Sequence, residues 1–170
     1  NDAVGVTASD EKIRMDSDGR LLINTNISRI VEDWSGNGPQ GKIQIEGTNS
    51  DAIMSIIGNA TADSFRCGTL SLGRTRDTSN SQSPPTIVQN GDNLGAINFC
   101  GADGVDMRNK GAYIRCEVEG APAENVMPGL LYFATRPTSG TAVKKRLKIG
   151  NGGMHSLFCD TGWESQVIYN

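Results

Sequence analysis

Catalysis needs particular side chains at particular spacings, and this chain offers few. Its one histidine, His155, follows Gly152-Gly153-Met154 with neither a nucleophile nor a metal partner defined by spacing. A Gly-x-Ser-x-Gly turn, a phosphate-cradling glycine loop and paired histidines are absent. A glycosidase needs two carboxylates at a set separation, but 19 acidic residues offer many pairs and the sequence singles out none. The expectation is a chain that is not an enzyme and carries no cofactor.

Binding chemistry has more to stand on. Asp92-Asn93 and Asp103-Gly104-Val105-Asp106 carry the oxygen ligands a hard cation such as calcium takes, but not at EF-hand spacing. Asp and Asn in such settings ordinarily bond their own backbone in turns, so no metal is expected. Val143-Lys144-Lys145-Arg146-Leu147-Lys148-Ile149 is the only basic cluster. As a strand it puts Lys144, Arg146 and Lys148 on one face and Val143, Lys145, Leu147 and Ile149 on the other. The cationic face reads first as solvated, and second as a site attracting anionic glycan or lipopolysaccharide phosphate. Trp34 and Trp163 fall in Gly- or Ser-rich loops, where an aromatic face can stack on a sugar ring, whereas Tyr113 and Tyr132 fall in strands and read as packed. The candidate glycan or surface contacts are therefore Trp34, Trp163, Lys144, Arg146 and Lys148.

The elements that must position these residues read as strands. Lys12-Ile13-Arg14-Met15-Asp16 alternates polar and apolar, turns at Ser17-Asp18-Gly19 and resumes at Leu21-Leu22-Ile23. An Asp-Gly step between two such runs predicts a hairpin or corner, because glycine takes positive φ without steric cost. The same reading predicts strands at Lys42–Glu46, Ile53–Ile57, Thr69–Leu72, Ala96–Cys100, Tyr113–Glu119 and Leu130–Ala134, most of them closed by glycine. Helical periodicity is nearly absent. Ser79 to Pro85 is a loop, since its two prolines remove ladder donors. Trp34 to Gly41 reads as a boundary, dividing the chain into connector strands and loop at 1–39, a central β module at 40–143, and a connector and tail at 144–170.

Composition bounds the rest. With 16 basic against 19 acidic residues the net charge is −3, which argues against a nucleic-acid binder. No apolar run is long enough to span a bilayer as a helix, so membrane insertion is not expected. The first residue is Asn1, with no signal peptide after it, which reads as a fragment, a mature product or the ordered part of something longer. Cys67, Cys100, Cys116 and Cys159 are far apart with no C-x-x-C pair, and read as reduced structural thiols made in a cytosol. In 170 residues there are 21 glycines, and only 5% of the chain is aromatic. So little large apolar material points to burial shared between chains.

One octad occurs twice. Lys12-Ile13-Arg14-Met15-Asp16-Ser17-Asp18-Gly19 returns as Arg146-Leu147-Lys148-Ile149-Gly150-Asn151-Gly152-Gly153: basic, apolar, basic, apolar, three turn residues, glycine. Two copies bracketing one body read as matching connectors. The first copy, with Leu22-Ile23 beyond it, resembles the "RMRIDSSGNVGIG"-type motif of bacteriophage tail fibres and appendages, which often precedes the intramolecular chaperone of endosialidase-type fibres. Leu70-Ser71-Leu72-Gly73-Arg74, Ile87 to Phe99, Gly101-Ala102-Asp103-Gly104, Ala112 to Gly120 and Met127 to Thr135 resemble the centre of those fibre domains, in the same order. The resemblance runs from about Glu11 to Gly153. The second octad departs from the Asp-Ser-Ser-Gly pattern, and no chaperone-like segment follows before Asn170, so autoprocessing within this chain is not implied.

The resemblance implies an all-β module, a short-stranded sandwich or β-prism, flanked by connector strands and assembled as a homotrimer. It implies a structural and adhesive role in a virion appendage, made in the bacterial host cytoplasm. The partners implied are other phage structural proteins and host-surface polysaccharide or lipopolysaccharide. A capsid-decorating head fibre, a carbohydrate-active tailspike and a plain spacer are the alternatives.

Overall fold

The computed structural model describes residues 12–25, 27–29, 31, 41–49, 51–59, 67–80, 83–139 and 142–153, together with the backbone of 155–157 and 166–168. Among them the chain is all-β: nine strands in two sheets, with no helix and hence none able to cross a membrane. It divides into two compact units, Asn1–Leu70 with Ala102–Asn109, and Ser71–Gly101 with Lys110–Asn170.

The first unit holds β1 (Ile13–Met15), β2 (Leu21–Ile23) and β3 (Ile43–Ile45), in that order in one sheet. The β1–β2 pair is antiparallel and β2–β3 parallel. Asp16 closes the hairpin: its Oδ1 accepts from the amides of Asp18 and Arg20, both at 3.0 Å, and its Oδ2 from Arg20 Nε at 2.6 Å. Register then sorts the side chains, since partners across a ladder share a face. Arg14, Leu22 and Gln44 share one face, where Leu22 is 1% exposed. Segment 27–29 is tied to this face by bonds from Gln44 Nε2 to Ile27 O (2.8 Å) and from Arg29 N to Gln44 Oε1 (2.9 Å), and by an Arg29–Glu46 ion pair. The opposite face is all aliphatic: Ile13, Met15, Leu21, Ile23, Ile43 and Ile45. Of these, Ile13, Met15 and Ile43 stand about two-thirds exposed, at 66%, 69% and 66%.

The second unit is built on a six-stranded sheet in sequential order: β4 (Asn93–Gly101), β5 (Asn109–Val118, its first residue in the other unit), β6 (Gly129–Thr135), β7 (Lys144–Ile149), β8 (His155–Leu157) and β9 (Gln166–Ile168). From β5 to β9 every neighbouring pair is antiparallel. The core lies on the face bearing Tyr113, Leu130, Tyr132 and Ala134, with Val143 packed against it. On the other face Ile114, Cys116, Leu131, Phe133, Leu147 and Ile149 are each only half-buried.

The two octads fold alike. In each, the amide of the glycine bonds back three residues at 3.0 Å, Gly19 N to Asp16 O and Gly153 N to Gly150 O. Both glycines have positive φ, 70° and 74°. Each turn joins an antiparallel hairpin with the same loop, Met15 opposite Leu21 and Ile149 opposite His155. The residues at 53–57 and 69–72, read from sequence as strands, join no ladder. Alternation encodes a strand's faces but cannot supply the neighbour whose N–H and C=O groups make it a strand. The short strands β8 and β9, in the tail, lack a clear alternating pattern and were not foreseen.

Candidate binding surface

The basic cluster lies on β7, where the ladder with β6 steps by one residue. Leu147 faces Phe133, but Lys145 faces Ala134, leaving Arg146 as the extra residue of a bulge. A bulge of this kind inverts the alternation beyond it. Lys148 opposite Tyr132, and Lys145 opposite Ala134, therefore share the core face, while Lys144 opposite Thr135 falls on the other. The single cationic face of Lys144, Arg146 and Lys148 expected from uninterrupted alternation does not form.

Each displaced cation finds a use. Lys145 Nζ sits 4.3 Å from the Tyr132 ring centroid, and Arg115 Cζ lies 4.8 Å from the same ring and 5.3 Å from that of Tyr113. The two tyrosine rings meet edge to face with centroids 5.8 Å apart. Tyr132 donates its hydroxyl to Glu117, which pairs with Arg115 Nη2 at 2.8 Å. Burial pushes the Tyr113 hydroxyl pKa up, against the nearby Arg115 charge. Arg146 Nε donates to Thr135 Oγ1 at 2.9 Å. Lys148 Nζ meets Glu119 at 2.9 Å, and Glu119 also accepts the Asn151 amide at 3.0 Å within the second octad turn. That amide first, then Lys148, holds the Glu119 carboxyl below its ordinary range. This aromatic and cationic cluster had no local signature, because Arg115 and Tyr132 meet only through the β5–β6 register.

The carboxylates that had the makings of a cation site are spent on the fold. Asp92 is buried and receives Arg76 Nε and Nη2 at 2.6 and 2.9 Å, Arg74 at 3.2 Å and the Gln89 amide at 2.9 Å. Led by the Arg76 bond, these hold its carboxyl far below the usual range. Asp103 Oδ1 accepts the amides of Val105 and Asp106 at 2.9 and 3.1 Å, while its Oδ2 accepts Asn109. Among the described residues no three His, Cys, Asp or Glu side chains converge as metal ligands. Cys67, Cys100 and Cys116 are free thiols, and burial raises the pKa of Cys116. Trp34 and Trp163 lie outside the described residues. In the first unit a cavity of about 460 Å³ opens between segments 27–29 and 102–107, lined by Ile27, Arg29, Asp106 and Met107 among others.

No known protein family matches the sequence, and no curated protein matches it either. Solved structures do match. The carboxy-terminal domain of the bacteriophage T5 L-shaped tail fibre, solved with its intramolecular chaperone domain, superposes with a TM-score of 0.64 at 14% identity. The same carboxy-terminal domain in a second structure gives 0.60 at 14% identity. Each match covers 90% of this chain, but only 42% and 61% of the respective fibre chains. The fold is that of a phage tail-fibre domain. The implied tail-fibre resemblance thus holds at the level of fold.

Proposed function

We propose that this chain is a structural and adhesion domain of a phage tail fibre, working in the virion as a homotrimer and performing no covalent chemistry. The observation that carries the reading is the open aliphatic face of β1–β3, set in a tail-fibre fold. The two outer strands expose Ile13 and Met15 on β1 and Ile43 on β3, on one face with half-buried Leu21 and Ile23 of β2 and Ile45 of β3. A monomer in water gains nothing from such a face, whereas copies packed face to face remove it from solvent. The half-buried face of the larger sheet gives the same argument a second time. Closed symmetry with three copies then makes folding and association one process. Sedimentation equilibrium tests this: the expected mass is three times the 18.1 kDa chain, and a monomer at high concentration overturns it.

In the same reading the partners are other phage structural proteins and a host-surface polysaccharide, for which three copies convert weak contacts into avidity. Trp34, Trp163, Lys144, Arg146 and Lys148 are the proposed contacts. Replacing them together by alanine is expected to abolish binding of the purified domain to host cells or extracted polysaccharide. Undiminished binding removes them as contacts.

A further inference from the structure

An asparagine followed by glycine is a labile step in any chain, because glycine has no Cβ to keep its amide nitrogen away from the preceding carboxamide. Two such steps lie among the described residues, Asn90-Gly91 and Asn151-Gly152, both exposed and both in turns. Exposure does not tell them apart, but their hydrogen bonds do. Gly91 N, the atom that would attack, donates to Val118 O at 2.8 Å, and Asn90 Oδ1 accepts the Gly120 amide at 2.8 Å. The Val118 amide returns to Asp92 O at 2.8 Å, so this turn is stitched to the end of β5. In the second octad the turn is closed one residue further on, from Gly153 N to Gly150 O. The Gly152 amide makes no hydrogen bond among the described residues. The Asn151 carboxamide makes one there, Nδ2 donating to Glu119 O at 2.6 Å, and it is exposed. Releasing a single exposed hydrogen bond slows a reaction by no more than ~10-fold.

We propose that Asn151 is a site of spontaneous deamidation, through attack of the Gly152 amide nitrogen on its side-chain carboxamide. The Gly152 nitrogen gives its proton to base and bonds to Asn151 Cγ; the Cγ–Nδ2 bond breaks, and Nδ2 takes up a proton and leaves as ammonia. Water then opens the five-membered imide, at Cγ to give aspartate or at the backbone carbonyl to give isoaspartate. Each event consumes one water and releases one ammonia. Either product exchanges the Nδ2 donor for a carboxylate, which is set against Glu119 O and repelled by the Glu119 carboxylate that holds the Asn151 amide at 3.0 Å. Isoaspartate also inserts the β-carbon into the main chain, inside the loop that Gly153 N closes on Gly150 O. The second connector turn thus loses its hold on Glu119 as the protein ages. The first octad is spared, since it carries Asp18 rather than Asn before its glycine, and the Gly19 amide is occupied by Asp16 O at 3.0 Å.

The test is incubation of the full chain at mildly alkaline pH, native and in guanidinium chloride, with peptide mass spectrometry locating the gain from carboxamide to carboxylate. In the native chain Asn151 is expected to react at least ~10-fold faster than Asn90, whose turn must first open. In denaturant, where the bonds that separate them are gone, the two are expected to agree within ~3-fold. An unreactive Asn151, an Asn90 that keeps pace with it in the native chain, or a preference that persists in denaturant each overturns the proposal. A second arm uses Gly152→Ala. A Cβ there meets nothing within 4 Å and the φ lies outside the left-handed region, so the turn is expected to fold as in the parent by thermal melt. The added methyl crowds the attacking nitrogen, and deamidation at Asn151 is expected to slow at least ~10-fold. An unchanged rate in a folded Gly152→Ala chain overturns the imide route; the parent's native and denatured rates stand without the variant.

Discussion

Tyr132 is fully buried and touches more of the chemistry in this protein than any other residue described. Its ring receives Arg115 and Lys145, its edge meets Tyr113, and its hydroxyl donates to Glu117. Tyr132→Phe keeps the ring and loses only the bond to a charged acceptor, with an expected loss of about 1–3 kcal/mol. Tyr132→Leu also loses both cation–π contacts and the edge-to-face pair, with an expected loss of about 3–5 kcal/mol. Urea titration separates the two; equal losses would mean the ring contacts contribute nothing beyond the hydroxyl. The sequence placed Tyr113 and Tyr132 in strands as packing residues, and they are. It could not show that Arg115 and Lys145 are their partners, because one comes from a neighbouring strand and the other from beyond a bulge.

At the scale of elements, the repeated octad was the most legible feature, because a turn is encoded within four consecutive residues. Gly19 and Gly153 share the same φ region and the same bond, and neither has an atom near the position a Cβ would take. Substitution there is a question of backbone strain alone. Gly19→Ala and Gly153→Ala are each expected to lose about 1–2 kcal/mol, and the asparagine variants less, since Asn tolerates the left-handed region. Thermal melts that found either alanine variant neutral would contradict this. The cationic face was misjudged for the converse reason. The bulge at Arg146 is visible only when β7 is laid against β6, and one extra residue moves every side chain beyond it to the other face. Strands at 53–57 and 69–72 failed for a related cause, since a ladder depends on what lies alongside.

For the whole molecule, acid is the sharpest probe. The carboxyls of Asp16, Glu46, Asp77, Asp92, Asp103 and Glu119 are all held below their ordinary values. The leading causes are the Arg20 amide for Asp16, Arg29 for Glu46, the Thr86 amide for Asp77, Arg76 for Asp92, the Asp106 amide for Asp103 and the Asn151 amide for Glu119. A carboxyl depressed by folding binds protons less readily in the native chain than in the unfolded one. Its stabilisation is complete above the unfolded pKa and is lost as pH falls through the native one. With ordinary values of 3.8 for Asp and 4.5 for Glu, these groups leave melting temperature level from neutral pH to about 5 and lower it steeply below about 4. Asp92→Asn is expected to melt lower at neutral pH and to lose less on acidification. A variant with the parent's full acid sensitivity would show that the Arg74–Asp92–Arg76 contacts add nothing.

By itself the sequence determined the all-β class, seven of the nine strands described, β1 to β7, and the two turns. These follow from local alternation and from glycine's freedom at positive φ, which act within a few residues. Only the tertiary structure decided which faces are covered, where β7 slips its register, and which carboxylates are bound up in the fold. Those outcomes depend on pairing between residues distant in sequence. The same holds for the few large apolar residues: only the register of β1–β3 places Ile13, Met15 and Ile43 on one face, where each is about two-thirds exposed.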